Sequence, residues 1–204
     1  MDTTTTIFSL LVMLFSVVLH EVAHGYAALF LGDRTAEYQG RLTLNPIKHM
    51  DLVGSVIVPL LSFTLGGYAF GWAKPVPFNP HNLRNKRWGE LIVAAAGPLM
   101  NIVVAVLFGL SIRFMPSLFG GAGLEIVSIA IIINLTLALF NLMPVPPLDG
   151  SKIFWAFLPA RAMRARRTIE NLGIIPVLIF VMILWSLVGS VIPYLFTVLT
   201  GVRF

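Results

Sequence analysis

Five stretches of this chain, at about 7–31, 52–70, 90–115, 124–143 and 172–200, are strongly apolar. A helix needs roughly 20 apolar residues to span the hydrocarbon of a bilayer, so four of the five qualify and 52–70 is marginal. Only 11% of the 204 residues are charged and 57% are hydrophobic, with a mean hydropathy of +0.89. An ordinary soluble domain carries about 25% charged residues. The chain therefore reads as a polytopic membrane protein, and its length suits one domain, 1–204. There is no cysteine, which excludes a disulfide framework and thiolate metal ligands. The net charge of +5 gives no reason to expect nucleic acid, because Lys and Arg in a membrane protein mark cytoplasmic loops. Residues 1–6 hold no Lys or Arg, whereas a secretory signal begins with a basic region. The first apolar stretch is expected to be a retained span.

The basic residues orient these segments. Connection 32–51 holds Arg34, Arg41 and Lys48, and 71–89 holds Lys74, Arg84, Lys86 and Arg87. Connection 144–171 holds Lys152, Arg161, Arg164, Arg166 and Arg167, while 116–123 has no basic residue. The first three are expected in the cytoplasm and the last outside. A full crossing by 52–70 would then put one basic connection on the wrong side. With Pro59 inside it and Gly66 and Gly67 near its end, this stretch is expected to dip in and return. Around it, "YQGRLTLNP" (Tyr38–Pro46) and "GWAKPVPFNP" (Gly71–Pro80) read as extended pieces. The expected fold is an all-α polytopic membrane protein of about four full transmembrane helices, plus a re-entrant element over 52–80 with short β-strands. Trp72, Trp88 and Trp155 suit an interfacial aromatic belt, and Arg161–Arg167 a lipid-facing basic cluster.

His20, Glu21 and His24 stand inside the first apolar stretch. An ionisable group at the centre of a membrane helix costs about 3 kcal/mol, so three together ask for a reason. Spaced i and i+4, the two histidines share one helix face and can bind one zinc ion. Glu21 is placed as general base toward a water on that ion, the H-E-x-x-H arrangement. Catalytic zinc commonly takes a third protein ligand. His49 and His81 lie in the cytoplasmic connections, so a carboxylate is the better candidate. Asp149, in "FNLMPVPPLDG" (Phe140–Gly150), follows a helix broken by Pro144, Pro146 and Pro147, and Gly150 permits a tight backbone after it. A helix N-cap is the other reading for Asp149, and both roles are compatible. His49 and Asp51, in "KHMDL", raise the thought of a second metal site, but a loop contact or gate at the cavity mouth is the plainer reading.

H-E-x-x-H in one span and N-x-x-P-x-x-x-L-D-G after another (Asn141, Pro144, Leu148, Asp149, Gly150) resemble the site-2 protease family of intramembrane zinc metalloproteases. "AAAGPLMN" (Ala94–Asn101) is similar to the family's Gly-Pro segment. "GRLTLNPIKHMDLVGSVIVP" and "GWAKPVPFNP" resemble its compact bacterial and archaeal branch, with no inserted PDZ or CBS domain. The resemblance covers about 15–155. It implies one metalloprotease domain with a core at about 7–155 and a C-terminal helix at about 172–200. It implies one Zn2+ on His20, His24 and Asp149, with Glu21 as base. The expected substrate is a single-span membrane protein, cleaved in or near its span, in a prokaryotic cell membrane. Since hydrolysis needs water, the site should open to the cytoplasm, where both motifs emerge at similar depth. Asn141 and Asn101 are candidates to stabilise the oxyanion or hold substrate backbone, although Asn101 also suits helix–helix hydrogen bonding. The substrate must unwind, and an extended strand from 36–46 or 71–80 is expected to receive it by β-augmentation, with Pro59, Gly66 and Gly67 bending the 52–80 hairpin that carries the edge. Two rival readings stand beside this one: a non-catalytic relative that binds membrane helices, and a zinc carrier. The first lacks its usual mark, a lost Glu21 or ligand. The second needs polar residues across the bilayer, and 102–112 and 124–140 offer little beyond Asn134, Ser and Thr.

Overall fold

The computed structural model describes residues 3–51, 53–58, 60–61, 64, 73–159, 162–173 and 175–203. Helix α1 covers Thr3–Phe30 and a single helical turn, α2, Thr35–Tyr38. Helix α3 is Gly89–Phe114, α4 is Gly121–Asn141 and α5 is Asp149–Ala156. Helix α6 is Met163–Glu170 and α7 is Ile175–Thr200. Helices α1, α3 and α4 are long and apolar enough to cross a membrane. Helix α7 has 26 residues and is apolar by sequence.

Helix α3 is the hub, packed against α1, α4, α5 and α7. Ala105 and Ile112 of α3 meet Ile131 and Leu135 of α4 and Phe196 of α7 in one apolar cluster. Thr5, near the start of α1, donates to Glu125, near the start of α4, at 3.3 Å. Hence α1 and α4 run parallel and α3 returns between them. Arg113, in the last turn of α3, donates to the Val198 carbonyl at 2.7 Å, so α7 finishes beside the end of α3. Ile7, Leu10 and Leu11 of α1 and Leu99 and Leu107 of α3 are exposed. An outward apolar face is what a hydrocarbon solvent allows.

The two basic connections that flank 52–70 lie together at the C-terminal end of α1. Leu31 O accepts the Arg84 N–H at 2.8 Å, and His49 O accepts the Lys74 N–H at 2.8 Å. Asp33, fully buried, accepts the Asn79 N–H at 2.6 Å and the Asn82 carboxamide at 2.9 Å. The dip expected between them falls largely outside the described residues, as do Gly66 and Gly67.

The short β-strands are a correction: among the described residues there is no strand. Residues 38–46 turn instead, with Gly40 at φ +62°, a left-handed conformation that suits glycine. Asn45 then caps a 3-10 turn, Pro46–His49. Residues 73–79 form neither helix nor strand. Pro75 and Pro77 have no N–H to give a ladder. This segment is strapped to the helices by other means: Arg41 Nη2 donates to the Lys74 carbonyl at 2.7 Å, and Val76 N–H is bonded to Glu21. Trp155 also departs from expectation, being buried rather than interfacial.

Candidate metal centre

Helix α1 brings His20 and His24 onto one face, with Nε2 atoms 3.0 Å apart. Asp149 arrives from the start of α5. Pro144, Pro146 and Pro147 prevent α4 from continuing, and Gly150 lets the chain fold back tightly, since a Cβ there would collide with the Leu142 and Met143 carbonyls. Asp149 Oδ2 thus lies 3.1 Å from each histidine Nε2. All three residues are buried. The helix N-cap is Leu148, so the Asp149 carboxylate is turned to the histidines rather than capping.

Each imidazole is held by its other nitrogen. His24 Nδ1–H donates to the Val93 carbonyl of α3 at 2.7 Å, and His20 Nδ1–H to Asn101 Oδ1 at 2.6 Å. Neutral rings so held present lone pairs at Nε2. Two lone pairs and a carboxylate oxygen then meet at 3.0–3.1 Å, which is unfavourable without a cation between them. Two imidazoles and one carboxylate are a ligand set that zinc accepts with a position left open. The space is kept by Gly97 of α3: a Cβ there would stand 2.6 Å from His20 Nε2 and closer still to His24 Nε2. The residues present fit the ion.

A cavity of about 160 Å³ opens on this cluster. Glu21, Asn141 and Lys152 share its wall with the ligands and with Pro75, Val76 and Phe78 of the strap. Glu21 Oε2 accepts the Val76 N–H at 2.7 Å. Asn141 Nδ2 gives one hydrogen to the Leu137 carbonyl at 2.9 Å. Lys152 Nζ lies 3.4 Å from Asp149 Oδ1 and over the Phe78 ring. Asn101 stands apart from the cavity wall, fully buried, with Nδ2 donating to Asn134 Oδ1 at 2.9 Å and to the Ser16 carbonyl at 3.3 Å. His49 Nε2–H donates to the Thr43 carbonyl at 2.8 Å and Asp51 accepts the Val53 N–H at 2.9 Å. Among the described residues, the only group of three or more potential ligands is His20, His24 and Asp149. Sequence reasoning missed the Val76 and Val93 backbone groups, the Gly97 gap and Asn134. Gly97-Pro98 inside an apolar span and a lone Asn134 were the signals available.

Membrane-length helices closing on two histidines and a carboxylate describe a membrane protein with a candidate zinc centre. The chain belongs to peptidase family M50, the site-2 protease family, whose model matches residues 8–122 and 117–184. It is 35% identical to the Bacillus subtilis protein named "Putative zinc metalloprotease YwhC", over 90% of this chain and 86% of that one. It is 33% identical to the Mycolicibacterium smegmatis "Putative zinc metalloprotease Rip2", over 81% of this chain and 63% of that one. With the Methanocaldococcus jannaschii "Zinc metalloprotease MJ0392" it shares 26% identity over 80% of this chain and 39% of the relative. No solved structure matches.

Proposed function

We propose that this chain is an intramembrane zinc metalloprotease that hydrolyses a peptide bond in or near the transmembrane segment of a single-span protein. The observation that carries the reading is the convergence of His20, His24 and Asp149 on one point, with Glu21 in the same cavity wall. His20, His24 and Asp149 would hold one zinc ion, which supplies Lewis acidity toward water and a carbonyl oxygen. Glu21 takes the proton of the attacking water at a carboxylate oxygen and delivers it to the leaving amine. One of its oxygens already accepts the Val76 N–H, which fixes the carboxylate's orientation and leaves the other for the proton. Asn141 keeps a second Nδ2 hydrogen for the developing oxyanion or the substrate backbone. Asn101, enclosed beneath His20, orients that ring and is not assigned to substrate.

The basic connections at the C-terminal end of α1 support an opening toward the cytoplasm. A substrate helix has its carbonyls engaged and must unwind before attack. The strap 73–79 is the proposed receiving surface; the bend expected at Gly66 and Gly67 lies outside the described residues. The test is reconstitution in vesicles with a panel of single-span substrates, wild type beside Glu21→Gln, with the cut site read by mass spectrometry. Cleavage inside or next to the span by wild type alone is expected. Equal cleavage by both proteins overturns the assignment of Glu21, and cuts confined to soluble tails overturn the intramembrane reading.

A further inference from the structure

We infer that Asn134, which touches neither ligand nor cavity, is a positioning residue that sets the tautomer of His20. The inference rests on the zinc reading and extends it by one step beyond the ligands. Asn134 is fully buried in α4. Its Nδ2 lies 2.8 Å from the Ala130 carbonyl and 2.9 Å from Ser16 Oγ. A backbone carbonyl can only accept, so the atom of Asn134 facing Ala130 must be the amino group. The remaining oxygen therefore points at Asn101, 2.9 Å away. Asn101 must answer with its own amino group, which also reaches the Ser16 carbonyl at 3.3 Å. That leaves Asn101 Oδ1, an acceptor only, 2.6 Å from His20 Nδ1. The proton of neutral His20 is thereby placed on Nδ1, and Nε2 keeps its lone pair toward Asp149 and His24.

Two backbone carbonyls, of Ala130 and Ser16, thus determine through two carboxamides which nitrogen of His20 can bind a metal. His24 needs no such relay, because the Val93 carbonyl fixes it directly. The asymmetry follows from position. His24 Nδ1 faces a backbone carbonyl of α3, while His20 Nδ1 faces the side chain of Asn101. Without Asn134 as acceptor, only the longer 3.3 Å bond to the Ser16 carbonyl opposes a half-turn of the Asn101 amide. Its amino group would then face His20, Nδ1 would become the acceptor, and the proton would move to Nε2, where it blocks coordination. Partners of this kind alter metal affinity by about 10–100-fold when lost.

The experiment uses the full chain in detergent with ring-15N histidine. Spectra are taken on zinc-free chains with His24→Ala and Asp149→Ala, which remove the two groups that would draw a proton onto His20 Nε2, well above the imidazole titration range; each remaining ring is assigned by single replacement of the histidines. Long-range proton–nitrogen spectra report which nitrogen bears hydrogen, and chelator competition on chains that keep both ligands reports zinc affinity. With Asn134 present, His20 should be protonated at Nδ1. Asn134→Leu should move that proton to Nε2 and weaken zinc binding by about 10–100-fold. Asn134→Asp keeps a side-chain oxygen that can accept from Asn101 and should restore both readings. Ser16→Ala disturbs the same cluster but keeps the Ser16 and Ala130 carbonyls, and should change neither. A His20 protonated at Nε2 in that background with Asn134 present overturns the inference whatever the variants do. So does an Asn134→Leu protein that keeps Nδ1–H with zinc affinity within about threefold of wild type, a difference below one tenfold step of binding energy. The tautomer is read without metal, so failure here is distinguishable from failure of the metal reading, which is a wild type that takes up no zinc.

Discussion

Replacing Gly97 with alanine adds one methyl group at the face of the metal centre, and its effect can be worked from distances. The new Cβ would stand 2.6 Å from His20 Nε2 and closer to His24 Nε2, where 3.4 Å is ordinary contact. His20 must retreat by about 0.8 Å, several times the ~0.2 Å tolerance of a zinc–ligand distance. Neither ring can yield cheaply, because Asn101 Oδ1 and the Val93 carbonyl hold the opposite nitrogens. Zinc affinity should fall at least about 100-fold, equivalent to roughly 2.7 kcal/mol. The helix itself should not suffer, since alanine is favoured over glycine in a helix interior by about 1 kcal/mol. Gly123→Ala in α4 is the control, its nearest contact being Phe119 at 3.9 Å. The assay is chelator competition for zinc beside thermal unfolding of the zinc-free protein. A folded Gly97→Ala protein that binds zinc within about threefold of wild type, well under one tenfold step, would refute the placement of the ion against this face of α3.

Val76→Pro removes the only strap N–H on Glu21, between two residues that are already proline; zinc content should stay normal while cleavage falls about 10-fold or more, the loss of one charge-assisted hydrogen bond. Asp33 should give an acid-dependent stability. Burial opposes its charge, but hydrogen bonds from Thr35, Asn82 and Asn79 outweigh that and lower its pKa. The folded pKa lies below the unfolded value of about 3.9, so the stabilisation is complete above that pH and is lost as pH falls through the folded value. Asp33→Ala should flatten this part of a pH–stability curve and cost about 2 kcal/mol near neutrality; unchanged acid unfolding would contradict it. Single cysteines at Lys48 and Arg84 should label from the cytoplasmic side and one at Gly121 from outside, with no native cysteine to interfere; opposite sides for Lys48 and Arg84 would break the packed pair of connections.

His20, Glu21 and His24 were legible because a four-residue spacing on a helix is local, and because charge inside an apolar span demands a reason. Asp149 was legible for a related cause: prolines end α4 where a chain turning back can present a carboxylate. The groups that hold these residues were not. Val76 acts on Glu21 through its backbone N–H, 55 positions along the chain, and every residue but proline carries that group. Asn134 reads as one polar residue in an apolar helix until Asn101 is seen beside it. The stretches Tyr38–Pro46 and Gly71–Pro80 suggest strands because proline and β-branched content speaks for extended or irregular backbone and is silent on pairing. The prolines at 75 and 77 that suggested extension also remove the donors a strand needs. Trp155 lies inside the bundle because α5 packs on α3, a contact that the aromatic-belt rule does not consider.

The most direct test of the zinc centre is X-ray absorption at the zinc edge on the purified full chain. Two imidazole nitrogens at about 2.0–2.1 Å and carboxylate oxygen at about 2.0–2.2 Å, with one zinc per chain, are expected. A shell with a third imidazole, which His49 or His81 would have to supply, or with no imidazole, would contradict the assignment of His20, His24 and Asp149.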